Sequence, residues 1–350
     1  MANTSLTREY TDFVTATVDR FGHKMWEDNI SRASPILAWL MDDGSVTMRG
    51  SSITGAVNGS RYLSGLSGDK IREPLMTELN STPKWYAGTE TFDTTEQNVG
   101  TAAFFDPKQL GCTITISGRE RRGNKGKEAQ LNLLKGKSDQ AMISLRNKLA
   151  IAMFSDGTGS NGKEVYGLTA IAPADGGAAV AYGEITANTS WWLSQRSRTQ
   201  TGTAGDIGDF NTNFRDYGKR LFNDCTEGSL HPDIHVVTQG LEEAYDNTLK
   251  GFERHTSKKM LDLGYDNILT YMGQPVVWDR KHPDHNATSM RWFMFTSEMI
   301  ALRYEPDANF SVAGFQRPVD GDFISSPVIW EGAVCTNCRR VHGVGTGITV

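Results

Sequence analysis

The chain of 350 residues has only four cysteines and no excess of basic charge, with 36 Lys and Arg against 41 Asp and Glu. It also has no apolar run near the ~18 residues that span a bilayer. Cys112, Cys225, Cys335 and Cys338 are too few for a disulfide framework in a chain this long. The opening Met1–Glu9 lacks the apolar stretch of a signal peptide, so the Asn-x-Ser/Thr triplets carry no message and the chain reads as soluble and cytoplasmic. A net charge of −5 and a pI near 5.8 provide no global field toward nucleic acid or anionic membrane. Any relationship with DNA is then enclosure rather than tight binding. No internal repeat or low-complexity tract is present.

What is there suffices for about two domains. Residues 1–42 read as amphipathic helix in two pieces. Tyr10, Phe13, Val14 and Val18 recur near helical spacing, and Ile30–Met41 carries the apolar run from Pro35 to Met41. Residues 43–72 are polar and rich in glycine, so the N-terminal fifth is expected to find its packing partners elsewhere. Residues 83–118 read as β structure. Cys112, Ile114 and Ile116 alternate with Thr113, Thr115 and Ser117, Trp85–Thr94 reads as a second strand, and Thr95–Gly100 as the turn between them. An isolated hairpin is marginal in water, so this one is expected to lie on something else.

The longest helical pattern runs over 127–154, with Leu134, Ala141, Leu145, Leu149 and Ala152 on one stripe and Gly136 as a candidate bend. Its reach is roughly 40 Å. A second helix carries Phe210, Phe214, Tyr217 and Leu221 behind a cap at Asp209. A third carries Leu241, Ala244, Tyr245 and Leu249 between Thr238 and Gly251. The remainder suggests short strands at Ile234–Val237, Ile268–Met272, Val276–Trp278, Trp292–Thr296 and Val328–Trp330. Helices and strands without a regular βαβ alternation argue for α+β.

Candidate chemistry is sparse. Gly157-Thr-Gly-Ser-Asn-Gly162 spells GxGxxG, but it comes after a helix instead of opening one, where outward carbonyls repel phosphate. Cys335-x-x-Cys338 with His342 lacks the second pair usual for zinc, so buried thiols are the preferred reading. His231, Asp233 and His235 share a face if extended, and His282-Pro-Asp-His285 is a similar polar loop; turn residues are the preferred reading of both. Gly65-Leu-Ser67-Gly-Asp69 misses the second glycine of GxSxG, and the adjacent carboxylates Asp42-Asp43 and Glu242-Glu243 make poor acid/base pairs. No catalytic residue, metal or cofactor is implied by the sequence. Arg119-Glu-Arg-Arg-Gly-Asn-Lys-Gly-Lys127 holds five basic residues in nine. It reads either as a solvated linker or as a surface that docks on an acidic neighbour and weakens with salt.

Several strings, in order, carry a resemblance: Lys84-Trp-Tyr-Ala-Gly-Thr-Glu90, Ile116-Ser-Gly118, Phe154-Ser-Asp-Gly-Thr-Gly159, Tyr166-Gly-Leu168, His231-Pro-Asp233, Gly273-Gln-Pro-Val-Val-Trp-Asp279 and Pro327-Val-Ile-Trp330. The chain resembles the major capsid proteins of tailed bacteriophages, with the Hong Kong 97-like coat fold. The resemblance implies an N-terminal arm over 1–72, an E-loop hairpin over 73–126 and a P-domain over 127–230 with its spine helix at 127–154. An A-domain over 231–316 comes next, and 317–350 are strands returning to the P-domain. It further implies a non-enzymatic protein that self-assembles into hexamers and pentamers of an icosahedral head around double-stranded DNA. Assembly would take place in the host bacterial cytoplasm, with the virion as destination. A portal, a separate scaffolding protein and a decoration protein are the implied partners, with no membrane. Expected inter-subunit contacts are Trp85, Tyr86, Arg119, Arg121, Arg122, Lys125 and Lys127. Two alternatives stay open: an encapsulin-like nanocompartment shell, and a nucleotide-binding enzyme built on the GxGxxG.

Overall fold

The computed structural model describes residues 34–41, 47–48, 51–52, 62–64, 69–123, 127–179, 181–198, 205–249 and 269–350. The helix expected around Tyr10–Val18, the Ser67 string, Asp42-Asp43 and the stop at Gly251 lie outside the described residues. Among those described, no helix is long and apolar enough to cross a membrane.

Helix α1, Pro35–Leu40, starts where Ser34 caps the Leu37 N–H and proline occupies the first turn. Ile36, Leu37, Ala38, Trp39 and Leu40 are all buried, in the principal core of the same chain. This corrects the expectation that the whole N-terminal fifth packs elsewhere. A helix apolar on every side must be enclosed, and this one is. The Ser34 hydroxyl also donates to the buried Asp279 carboxylate.

The short strands β1, Thr47–Met48, and β2, Ser51–Ser52, pair with each other, and β3, Tyr62–Ser64, is next along the chain. β4, Ile71–Met76, pairs antiparallel with β5, Gly100–Phe105. This is a second correction: the hairpin expected between Trp85–Thr94 and Cys112–Ser117 is absent, and the pair that does form flanks the segment read as strand, while the strand that holds Cys112–Ser117 pairs with residues 323–332. Trp85–Thr94 has no ladder partner, and its neighbourhood is held by local turns in which Asn80 accepts from Thr82 and Asp93 from Thr95. β4 was hidden by Pro74, which an edge strand tolerates on its exposed side.

β6, Lys108–Ser117, buries Ile114 and Ile116 and exposes Thr113 and Thr115, as its alternation predicts. It leads into α2, Gly118–Gly123, and then α3, Lys127–Ala152, whose predicted stripe is buried throughout. α4, Leu168–Ile171, and the strands β7, Gln195–Arg196, and β8, Gly208–Asp209, connect to α5, Phe210–Asp224, capped by Asp209 as expected. β9, Ile234–Val237, precedes α6, Gln239–Leu249, where Thr238 accepts from the Leu241 N–H. The remaining strands are β10, Thr270–Tyr271; β11, Gln274–Trp278; β12, Met290–Phe295; β13, Ile300–Tyr304; β14, Ser311–Val312; β15, Phe323–Thr336; and β16, Gly343–Thr349.

One sheet runs β10-β11-β9-β12-β16-β7, with β8 also on β16. Another runs β14-β15-β13-β3, with β6 along β15 from Phe323 opposite Ser117 to Gly332 opposite Lys108. The principal core joins α1, the α3 stripe and the inner faces of β5, β6, β13 and β15. A second core forms where Phe210, Phe214 and Leu221 of α5 and Leu241 and Tyr245 of α6 close over Val237, Val276 and Trp292.

Candidate assembly interface

Residues 77–99, between β4 and β5, contribute nothing to either core. Trp85 is 101% exposed, and Leu79, Tyr86, Phe92 and Val99 are also exposed. Tyr86 and Phe92 meet edge to face at 4.9 Å, so part of the loop is organised around its own aromatics. Scattered exposed apolar residues are ordinary on a monomer, and here five of them share one loop. Trp85 and Tyr86 were expected here from the sequence; Leu79, Phe92 and Val99 were missed. Their signal was the presence of large apolar residues in a stretch otherwise dominated by Thr, Asn and Glu.

The basic segment forms α2. Ser117 and Glu120 reciprocally cap its start: the Ser117 N–H donates to the Glu120 carboxylate at 3.1 Å, and the Glu120 N–H to the Ser117 hydroxyl at 3.2 Å. Glu120 also pairs with Lys137 of α3. Arg119 and Arg122 are exposed and Arg121 is half-buried. Arg122 bonds the Asp322 carboxylate at 2.9 Å, and Arg317 approaches the same group at 3.6 Å. The hydrogen bond from Arg122, with the charges of Arg317 and Arg121, holds the Asp322 carboxyl below its usual range. Asp322 and Arg317 were not foreseen, because about two hundred positions separate them from α2 in the sequence. Lys125 lies outside the described residues, and Lys127 begins α3.

The GxGxxG string is a return turn. Three of its six amides are spent inside the chain: the Gly157 N–H donates to Ser155 Oγ at 3.1 Å, Thr158 to Asp156 at 2.9 Å, and Gly162 to the Thr158 carbonyl at 3.2 Å. The carbonyls at the end of α3 are capped by residues 167–169, where the chain doubles back. Leu168 donates to Met153 at 2.7 Å, Thr169 to Phe154 at 2.7 Å and Gly167 to Ser155 at 3.0 Å. Gly157 sits at φ +84°, and a Cβ there would lie 2.3 Å from the Tyr166 ring. Glu164 adds negative charge, its carboxyl held down by Ser155 and then Lys148.

The other candidates disperse. Asp233 accepts from the Ser297 N–H at 2.9 Å, His235 Nδ1 from the Trp292 indole at 3.3 Å, and His231 meets Gln274 at 3.1 Å. Cys335 is buried at the end of β15 and Cys338 half-buried, and burial pushes both thiols up. Both nitrogens of His342 are engaged, by the Thr296 N–H and by the Thr336 hydroxyl. Among the described residues, no group of three or more His, Cys, Asp or Glu is placed to hold a metal ion. His282 is buried against Phe154 and Phe293, so the 282–285 string is not the wholly solvated loop expected.

No family model matches the chain, and no curated protein matches it by sequence. Solved structures do, and they share one architecture: the fold is that of the shell proteins of phage capsids and encapsulins. The capsid of cyanophage A-1(L) superposes with a TM-score of 0.59 at 14% identity, over 90% of this chain and 93% of that one. The capsid of Myoviridae phage XM1 gives 0.51 at 12% identity, over 80% and 86%. A holo encapsulin complex from Synechococcus elongatus gives 0.51 at 11%, over 90% and 95%. The α+β capsid fold expected from the sequence is the fold of this chain.

Proposed function

We propose that the chain is a major capsid protein that self-assembles into the hexamers and pentamers of an icosahedral phage head enclosing double-stranded DNA. One observation carries the reading: a shell fold over nine tenths of the chain is joined to a loop whose aromatic side chains have no place in the chain's own cores. Such a loop is completed by a neighbour. The role is structural, built from many weak repeated contacts, with Trp85, Tyr86 and the Arg119–Lys127 segment as contact residues. The virion is the destination, with assembly in the host bacterial cytoplasm aided by a portal, a separate scaffolding protein and a decoration protein. The domain division is carried forward with one adjustment. α5 packs into the second core, so the A-type unit is better begun near Ile207 than at 231.

Negative-stain electron microscopy of the expressed chain tests this. Shells or capsomer rings are expected, and a monomer under every salt, pH and concentration tried counts decisively against it. The encapsulin neighbour, matched over 90% of this chain, supports a second reading as a nanocompartment shell. The contents of purified particles separate the two: packaged DNA for a phage head, a folded enzyme for a compartment.

A further inference from the structure

Asp279 joins two parts of the chain that lie 245 positions apart in sequence. It is buried just after β11, and its two carboxyl oxygens serve different elements. Oδ1 accepts from the Lys281 N–H at 2.8 Å, an Asx turn that starts the loop between β11 and β12. Oδ2 accepts from the Ser34 hydroxyl and from the Ile36 N–H at 3.4 Å, at the start of α1. Ser34 also caps the Leu37 N–H, so Asp279 completes a first turn whose amides have no partner within the helix.

The loop that follows is closed on the end of α3 and on β12. The His282 N–H donates to the Asp279 carbonyl at 3.1 Å, and its ring lies 5.6 Å from Phe154 and 5.3 Å from Phe293. Arg291 grips Asp284 through Nε and Nη2, each at 2.7 Å. α1 is six residues long, too short to hold its shape alone in water. Undocking it would expose five buried side chains and strip Oδ2 of both donors. A buried carboxyl short of donors is costly, so the loop must then open to hydrate it. An open loop, in turn, carries the cap away from α1.

We propose that Asp279 makes the docking of α1 and the closure of the 279–285 loop a single event, a latch that couples α1 to β11 and β12 of the larger sheet. The latch is a property of the single chain and does not depend on shell formation. It opens below the threshold of global unfolding, as a local cooperative unit.

Hydrogen exchange of the full-length, unassembled chain tests it, read by mass spectrometry on α1, the 279–285 loop and α5, with circular dichroism as the check on folding. Leu40→Ala removes apolar packing from α1 and leaves Ser34, Ile36 and Asp279 in place. Exchange should quicken by at least about thirtyfold in α1, by the same factor in the loop, and not in α5. Arg291→Gln loosens the loop from its far end and should quicken α1 as much as the loop. Ser34→Ala should raise both by about tenfold. Asp279→Ala should uncouple them, so that Leu40→Ala added to it quickens α1 alone. Faster exchange confined to α1 in Leu40→Ala, or to the loop in Arg291→Gln, overturns the latch. So does an equal rise in α5, because α1 and the loop then open only with the whole fold. If Asp279→Ala does not fold, Ser34→Ala decides: a joint rise supports the latch, and a rise in α1 alone overturns it.

Discussion

Three histidines lie buried around the central strand β12. His235 is in register with Met294, His282 packs on Phe293 and His342 on Phe295. Burial pushes their pKa values down to about 3, about 4 and about 3, from 6.5. His342 and His235 both accept hydrogen bonds at Nδ1, so a proton added there breaks a bond as well as burying a charge. The unfolded chain binds these protons near pH 6.5 and the folded chain does not. Stability is therefore complete above 6.5 and is lost as pH falls toward 4 and then 3. The slope approaches about 1.4 kcal/mol per pH unit for each histidine. Urea unfolding of the unassembled chain should show the midpoint dropping between pH 6.5 and 4.5, before most carboxylates titrate. A flat midpoint over that window would mean that these histidines are not buried and neutral. None of this was legible in the sequence, where His231 and His235 look equivalent. Only the tertiary fold puts one at the surface and the other against Trp292.

At the scale of elements, periodicity was the dependable signal and pairing was not. The α3 stripe and the alternation of β6 arise from local spacing, which sets which side chains share a face. That β6 pairs with β15, more than two hundred positions later, is set by the global fold and leaves no local trace. β16 was missed for a different reason. It is a strand of the larger sheet with glycine at three of its seven positions, Gly343, Gly345 and Gly347, a composition that reads as loop. The glycines are there because α5 and its surroundings press on the sheet: a Cβ at Gly343 would lie 2.4 Å from Cys225 Sγ, and one at Gly345 2.7 Å from Ile207 Cδ1. Gly136 in α3 is the opposite case, with no atom within 4 Å of an added Cβ. Alanine is the better helix former there, by about 0.8–1 kcal/mol. Gly136→Ala should thus raise the melting temperature of the unassembled chain by about one degree. A fall would show that α3 needs the glycine for a bend. If the same substitution blocks shell formation while raising the melting temperature, that face of the spine helix is covered in the assembly.

At the scale of the whole molecule, two groups of apolar residues have different work. One fills the two cores and is spent on folding; α1 belongs to it, despite lying in the region that reads as a free arm. The other is on the 77–99 loop and adds nothing to either core. Folding and assembly should therefore be separable by mutation. Replacing Trp85, Tyr86 and Phe92 together by Ser removes no core contact, and surface changes of this kind alter stability by only about 0.5 kcal/mol. The same rings buried against a neighbour are each worth about 1.5–3 kcal/mol. A ring of copies loses that amount at every contact, so the triple variant should melt within a few degrees of the wild-type chain and yield no shells. Thermal melting and electron microscopy of the same preparation read both. Unchanged shells would remove the loop from the assembly contacts. A large drop in melting temperature would show instead that the rings support the fold itself, because a loop that stabilises its own chain cannot also be lying open for a neighbour.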